Sequence, residues 1–292
     1  MEMNHQGKTF VVSGATSGIG LATTQLLVDQ GAFVIGIGRS EERGWAVKKD
    51  VLARAKHADG QLLMVTADLS LQSQVRALRP EIETLLREHG RQGLDGLVNN
   101  AGTFTYWLSL TPEGFEMQWA VNHLAPFLLS NVLLPLLLQC PSARIVTVSS
   151  DSHFQGRMHW DDLQLRRHYN GLRAYQNTKL ANVLFTLAFN RLMGEQSTVK
   201  AFAADPGLVK TEIGFKGTPA LVRWIWARRR AGGTPPEVPA RNIAYLLTEA
   251  SLEASDQPYW KDCKAKKASK RALDVQAAER LWAASEKMCG LA

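Results

Sequence analysis

The chain has 292 residues, 45% hydrophobic and 21% charged, the balance of an ordinary globular protein long enough to bury a large core. Its net charge of +7 would suit nucleic acid, a membrane surface or an anionic cofactor. Much of the excess sits in Arg223 to Arg230 and Lys261 to Arg271, so there is no general basic coat and no nucleic-acid partner is expected.

Lys8 to Val12 is a short apolar run that ends in Ser13-Gly14-Ala15-Thr16-Ser17-Gly18-Ile19-Gly20. Ile19, Leu21, Ala22, Leu26 and Leu27 then follow at helical spacing. Strand, glycine turn and helix put a phosphate on a helix N-terminus, where amides donate and missing side chains allow close approach. The spacing is Gly-x-x-x-Gly-x-Gly rather than the commoner Gly-x-Gly-x-x-Gly. Ala32 to Gly38 reads as a second strand. It ends at Arg39, with no acid before Glu41, which favours a ribose 2′-phosphate over a free 2′-hydroxyl; a loop-capping role for Arg39 is the alternative. Leu62 to Thr66 is a third strand, closing at Ala67-Asp68-Leu69-Ser70. Asp68 could cap the next helix, Leu71 to His89, or accept from an adenine amino group. Leu94 to Val98 is a fourth strand, ending in Asn99-Asn100-Ala101-Gly102, small and amide residues suited to a ligand crevice.

Thr111-Pro112-Glu113 carries the signals of a helix start, and a long helix is expected from there to Gln139. Asn122 lies four residues before Pro126, whose missing N–H frees a carbonyl and kinks the axis, so Asn122 could hold a water there or be a tolerated polar residue. The most apolar stretch, Leu124 to Leu138, is under 18 residues and reads as a buried helix rather than a membrane span. No signal peptide is apparent, and Cys140, Cys263 and Cys289 form neither a metal pattern nor a disulfide framework. A reducing, cytoplasmic setting is the expectation.

Arg144 to Val148 is a fifth strand, ending Ser149-Ser150. After a polar segment comes Tyr175-Gln176-Asn177-Thr178-Lys179, a phenol and an ammonium on one face of a helix. A tyrosine near pKa 10 is a poor base at neutral pH; lowering it by about 3 units takes roughly 4 kcal/mol, much of which a nearby ammonium can supply. That would tune a general acid/base, although Tyr-x-x-x-Lys alone is common on plain amphipathic helices. Val199 to Ala203 is a sixth strand, followed by Asp205-Pro206-Gly207-Leu208-Val209-Lys210-Thr211. Six strands alternating with helices predict a doubly wound parallel α/β sheet in one domain spanning 1–292. Residues 212–238, with the aromatic and basic run 221–230, read as a substrate lid or a membrane-surface helix. Ala240 to Ala250 and Asp274 to Met288 look helical, and Tyr259-Trp260 opens a last strand.

These elements, in this order, resemble the short-chain dehydrogenase/reductase family, and specifically its retinol-dehydrogenase-like group. That group carries an insertion like the one between Ser150 and Tyr175, and Lys179 to Phe185 and the tail from Tyr259 are similar as well. Two positions depart: Ser13 stands where threonine is usual, and Asp205 where relatives often have histidine before Pro-Gly. Animal members of the group usually carry an N-terminal membrane anchor, whereas here the first strand begins almost at once.

The resemblance implies a Rossmann fold binding NADP(H) through Gly14, Thr16, Ser17, Gly18, Ile19, Gly20, Arg39, Asp68, Leu69, Asn100, Ala101, Gly102, Tyr175, Lys179, Pro206, Gly207, Val209 and Thr211. It implies catalysis by Asn122, Ser150, Tyr175 and Lys179. Tyr175 would transfer a proton, Lys179 would depress its pKa and hold the nicotinamide ribose, Ser150 would bind the substrate oxygen, and Asn122 would hold a water. Phe104, Tyr106, Trp107, Phe154, Trp160, Phe215, Trp224 and Trp226 suggest a lipophilic alcohol or carbonyl substrate. A catalytically silent NADP-binding regulator on the same fold is the alternative, and the long helix is a homodimer face in many relatives.

Overall fold

The computed structural model describes residues 5–194, 197–210 and 232–291. Its first half runs β1 (Thr9–Ser13), α1 (Gly18–Asp29), β2 (Phe33–Gly38), α2 (Glu41–Arg54), β3 (Gln61–Thr66), α3 (Gln72–Glu88) and β4 (Gly96–Asn99). Its second half runs α4 (Met117–Leu137), β5 (Arg144–Val148), α5 (Gly171–Met193), β6 (Lys200–Ala204), α6 (Glu237–Thr248), β7 (Tyr259–Lys261), β8 (Lys264–Ala265) and α7 (Val275–Met288). The strands form one sheet in the order β3-β2-β1-β4-β5-β6-β7-β8, parallel as far as β7, with β8 folding back antiparallel on it. This is a Rossmann-like α/β fold.

Central strands covered on both faces favour apolar residues on both, which is why the middles of β1, β2 and β5 read as near-continuous apolar runs rather than alternations. Successive side chains point to opposite faces and feed two cores. Val11, Phe33, Ile35 and Ile37 join α3, α4, α5 and α7 on one side; Phe10, Val12 and Val34 join α1, α2 and α6 on the other. Phe127, Phe185 and Phe189 gather around Trp282 of α7, with Phe127 edge-on at 4.9 Å, and fasten the C-terminal helix to the first layer. The chain turns from one half of the sheet to the other between β1 and β4, and their carboxyl ends open the crevice where ligands of such sheets bind.

Several expectations need correction. Helix α2 goes unread in the sequence because it is strongly polar and fully buries only Gly44 and Val51. The long helix starts at Met117, not Thr111. Gly114, at φ +82°, closes a turn through Thr111-Pro112-Glu113, and Glu116 caps α4 by accepting from the Gln118 and Trp119 amides at 3.0 and 2.6 Å. Glu113 caps a different helix: its carboxylate accepts from the Gln72 and Ser73 amides at 2.6 and 3.1 Å, at the start of α3, whose own N-cap is Leu71. Around Asn122 the helix widens into a π turn over Ala120–Leu124. Pro126 has no N–H for the Asn122 carbonyl, so the ladder slips by one residue. The whole of α4 has 21 residues, longer than the apolar stretch suggests, and 72% of its most apolar window is buried.

Candidate active site

The glycine turn between β1 and α1 is built for close backbone approach. Gly14 lies at φ +68°, and a Cβ on Gly20 would stand 2.2 Å from the Gly14 carbonyl oxygen and 2.4 Å from Asn100 Nδ2. Ser17 occupies the N-cap of α1 in extended conformation without a side-chain bond, so the helix N-terminus offers its amides to an anion. Thr16 packs on the end of β2, its Cγ2 2.7 Å from where a Gly38 side chain would begin. Arg39 follows there, exposed, beside Ser40, which caps α2 through the Arg43 amide. These residues fit a dinucleotide.

Ser13 ties this turn to β4. Its Oγ donates to the Val98 carbonyl at 3.1 Å and accepts from the Asn100 and Ala101 amides at 3.0 and 3.1 Å, while Asn100 Nδ2 donates to the Ser13 carbonyl at 3.0 Å. Asn100 and Ala101 thus shape the crevice wall with donors already engaged, and Gly102 lies beside Asn122. Asp68 Oδ1 accepts from the Ser70 amide at 2.9 Å, forming a turn ahead of α3 rather than capping it, and Leu69 is buried in the core.

Tyr175 and Lys179 lie in α5, which Asn170 caps through the Arg173 amide. The ammonium sits 5.4 Å from the Tyr175 ring centroid and donates to the Val148 carbonyl at 3.0 Å, at the end of β5. Asn182 donates to the same carbonyl at 3.2 Å, and Ser149 Oγ donates to the Lys179 carbonyl at 2.7 Å. Three bonds therefore lock α5 to the strand end that carries Ser150. The Ser150 hydroxyl accepts from the Ser152 amide at 3.1 Å and caps a short 3₁₀ turn over Asp151–Phe154. Asn122 reaches the same helix: Nδ2 donates to Thr178 Oγ1 at 3.2 Å and to the Thr103 carbonyl at 2.9 Å, and Oδ1 accepts from the Thr103 amide at 2.7 Å. Phe104 meets Tyr175 edge-on, with centroids 6.0 Å apart.

The electrostatics differ from what the Tyr–Lys pair alone suggests. Burial, with a contribution from the Asp205 charge, pushes Tyr175 up to about 12, and burial brings Lys179 down to about 8. Tyr175 keeps part of its surface open, so solvent moderates the effect, but the direction is upward. At neutral pH the phenol is a proton donor.

Gly207, at φ +68°, forms the turn after β6, and its amide donates to Asp205 Oδ1 at 2.9 Å; Val209 pairs with Thr234 as an isolated bridge. Thr211, Phe215, Trp224, Trp226, the basic run 221–230 and most of the expected lid lie outside the described residues, and of 232–238 the last two residues begin α6. Of the other aromatic candidates, Tyr106 and Trp107 pack together at 4.8 Å with Trp107 exposed, and the Phe154 ring lies tilted against His153, centroids 4.2 Å apart. Trp160 belongs elsewhere. It lies under Arg280, 4.4 Å from the guanidinium, and lines a cavity of about 320 Å³ with Leu180 and Leu184 that touches neither Tyr175 nor Ser150. A second network escaped the sequence reading. Glu116, Gln118 and Tyr169 join the loop before α4 to the start of α5, with Gln118 and Tyr169 2.8 Å apart and Tyr169 2.9 Å from Glu116. Nothing in their spacing signals the pairing.

Residues 8–219 match the short chain dehydrogenase family. The chain is 38% identical over 300 residues to retinol dehydrogenase 14 of Mus musculus, covering 98% of this chain and 86% of the relative. It also superposes on a solved structure of an uncharacterised protein from Mycobacterium paratuberculosis, at TM-score 0.73 and 31% identity, covering 98% and 95% of the two chains. An angucycline C-6 ketoreductase solved with bound NADP is similar at TM-score 0.69 and 26% identity, covering 89% and 95%. The expected cytoplasmic setting is overturned by this similarity, because the retinol dehydrogenases that match along the whole chain are membrane-associated. The cytoplasmic expectation rested on leaders and spanning runs, which say nothing of attachment at a surface, and the run 221–230, read as a lid or a membrane-surface helix, lies outside the described residues. Helix α4 is long and apolar enough to cross a membrane by length and composition, yet it packs mostly inside the protein.

Proposed function

The chain belongs to the short-chain dehydrogenase family, and from that premise we propose that it is an NADP-dependent oxidoreductase interconverting a lipophilic alcohol and its aldehyde or ketone, with Tyr175 as the acid/base. One observation carries the reading: the helix that bears a half-buried phenol and, one turn on, a buried ammonium is locked by three hydrogen bonds to the strand end bearing Ser150, on the same sheet edge as a glycine turn with no room for a side chain at Gly20.

The dinucleotide, when bound, supplies or accepts the hydride. The residues do the rest. Ser150 Oγ donates to the substrate oxygen and stabilises the charge that develops on it. Tyr175, protonated at neutral pH, gives its proton to that oxygen in carbonyl reduction and takes it back in alcohol oxidation. Lys179 keeps a positive charge above the ring and favours the phenolate as the proton leaves. Asn122 holds the Thr103 backbone and Thr178 in register, fixing the segment that carries Phe104 against the helix that carries Tyr175. Gly14, Thr16, Ser17, Gly18, Ile19 and Gly20 would hold the pyrophosphate side and Arg39 the 2′-phosphate, with Asp68 and Leu69 toward the adenine and Pro206, Gly207 and Val209 toward the nicotinamide.

Titration with NADPH and NADH, followed by depletion of the preferred cofactor against lipophilic aldehydes and ketones, tests this. NADPH preference with turnover is expected, and Arg39→Ser should narrow the preference. NADH preference would remove Arg39 from its role. NADPH binding without turnover across the panel would point to a regulator instead.

A further inference from the structure

Asp205 directly follows β6 with its side chain fully buried, an expensive place for a carboxylate. Its two oxygens are matched: Oδ1 accepts from the Gly207 amide at 2.9 Å, and Oδ2 accepts from Lys266 Nζ at 2.7 Å. Lys266 comes from just beyond the β7–β8 hairpin, where its own amide donates to the Tyr259 carbonyl at 2.9 Å. The same ammonium pairs with Asp151, the residue after Ser150. One cation thus bridges the turn Asp205-Pro206-Gly207 and the segment Ser150-Asp151, which follow the neighbouring strands β6 and β5. The hairpin region grips that segment a second time: His153 Nδ1 donates to the Ser150 carbonyl at 2.8 Å, and His153 Nε2 accepts from the Ser269 amide at 3.1 Å.

We propose that Lys266 is a positioning residue of the reaction: by pairing with Asp205 and Asp151 together it fixes Ser150 relative to the Pro206–Gly207 turn and offsets the buried negative charge that reaches Tyr175.

The surrounding groups are consistent. Asp205 faces Lys266, Asp151, the phenol of Tyr259 and, at longer range, Tyr175; His153 packs on the Tyr259 ring at 4.7 Å, and Lys261 stands beside Gly207. Lys179 lies against the Tyr175 ring itself, 5.4 Å from its centroid. Burial and the two carboxylates keep the Tyr259 phenol protonated. Burial alone would raise the Asp205 carboxyl, but the Lys266 and Gly207 bonds take it below the usual carboxylate range, so it is charged throughout the working pH range. Without Lys266 the local charge changes from one net negative to two, and the Tyr175 phenolate becomes harder to form.

The claim rests on the proposed acid/base role of Tyr175, so the test has one readout independent of turnover. Hydrogen exchange is followed at the Ser152 and Gly207 amides in the full chain, with Phe10 in β1 as reference. In Lys266→Met, exchange at both sites is expected to rise about tenfold while Phe10 stays unchanged, and Lys266→Arg is expected to restore protection. Alcohol oxidation by Lys266→Met should have its rising pH limb displaced upward by about one pH unit, and adding Asp205→Asn should bring the limb back without restoring Gly207 protection. Unchanged exchange at both amides would overturn the proposal, as would a fall in rate with an unmoved pH limb. If Lys266→Met does not fold, Asp205→Asn alone decides: the limb should move downward, and an unmoved limb refutes the charge argument. Exchange effects in a chain with no turnover on any carbonyl would leave the bridge standing and sink the catalytic reading instead.

Discussion

Replacing Gly20 by alanine places a methyl group where the fold has no room. The new carbon would lie 2.2 Å from the Gly14 carbonyl oxygen and 2.4 Å from Asn100 Nδ2. Reaching even 3.0 Å requires the carbonyl to move by about 0.8 Å, and neither neighbour is the free end of a flexible side chain. The carbonyl belongs to a residue held at φ +68°, and the amide is bonded to the Ser13 carbonyl at 3.0 Å. Overpacking of this kind costs about 1–3 kcal/mol, and losing the Asn100 bond adds about 1 kcal/mol. If half of the combined cost falls on the turn's ability to receive a pyrophosphate, NADPH affinity drops roughly 5- to 30-fold, at about 1.4 kcal/mol per tenfold. The assay is a fluorescence titration with NADPH beside a thermal melt, with Gly44→Ala in α2 as control, since a Cβ there would meet nothing closer than 3.5 Å. Gly20→Ala binding NADPH within twofold of wild type, with an unchanged melting temperature, would refute the account of the crevice.

Glu113→Ala removes a cap that α3 takes from a distant loop; a loss of about 1 kcal/mol and a fall of about 2–4 °C in melting temperature are expected, read by calorimetry. His123, fully buried against Trp119 and hydrogen-bonded to Ser285 at 2.8 Å, is brought down to about 3 by burial. Between that value and its unfolded pKa of about 6.5 the unfolded chain binds a proton that the folded one refuses, so this contribution is complete above about pH 6.5 and lost on acidification. The slope is about 1.4 kcal/mol per pH unit, seen in denaturant melts across that window, and His123→Gln should flatten it.

How much of this was legible depends on how local each signal is. β5 could be read to the residue because its β-branched run is buried on both faces and stops at two serines. The places of the glycine turn, Asn122, Ser150, Tyr175 and Lys179 in the fold were legible because each sits at a strand end or on a strongly patterned helix. Thr111-Pro112-Glu113 misled because its capping acid serves α3 across the molecule, a pairing 41 residues long. The Lys266 bridge spans 115 residues to Asp151 and 61 to Asp205, and no periodicity encodes it. The sequence also showed an ammonium near a phenol but not the burial of either, so the sign of the Tyr175 shift came out opposite to the expectation.

The central claim, that Tyr175 carries the proton, is tested most directly by Tyr175→Phe. The account expects NADPH affinity within a few-fold of wild type, because the glycine crevice and Lys179's bond to Val148 are untouched, and loss of most turnover with the best carbonyl substrate. Turnover at the wild-type rate in a variant that still binds NADPH would contradict it and remove Tyr175 from the chemistry.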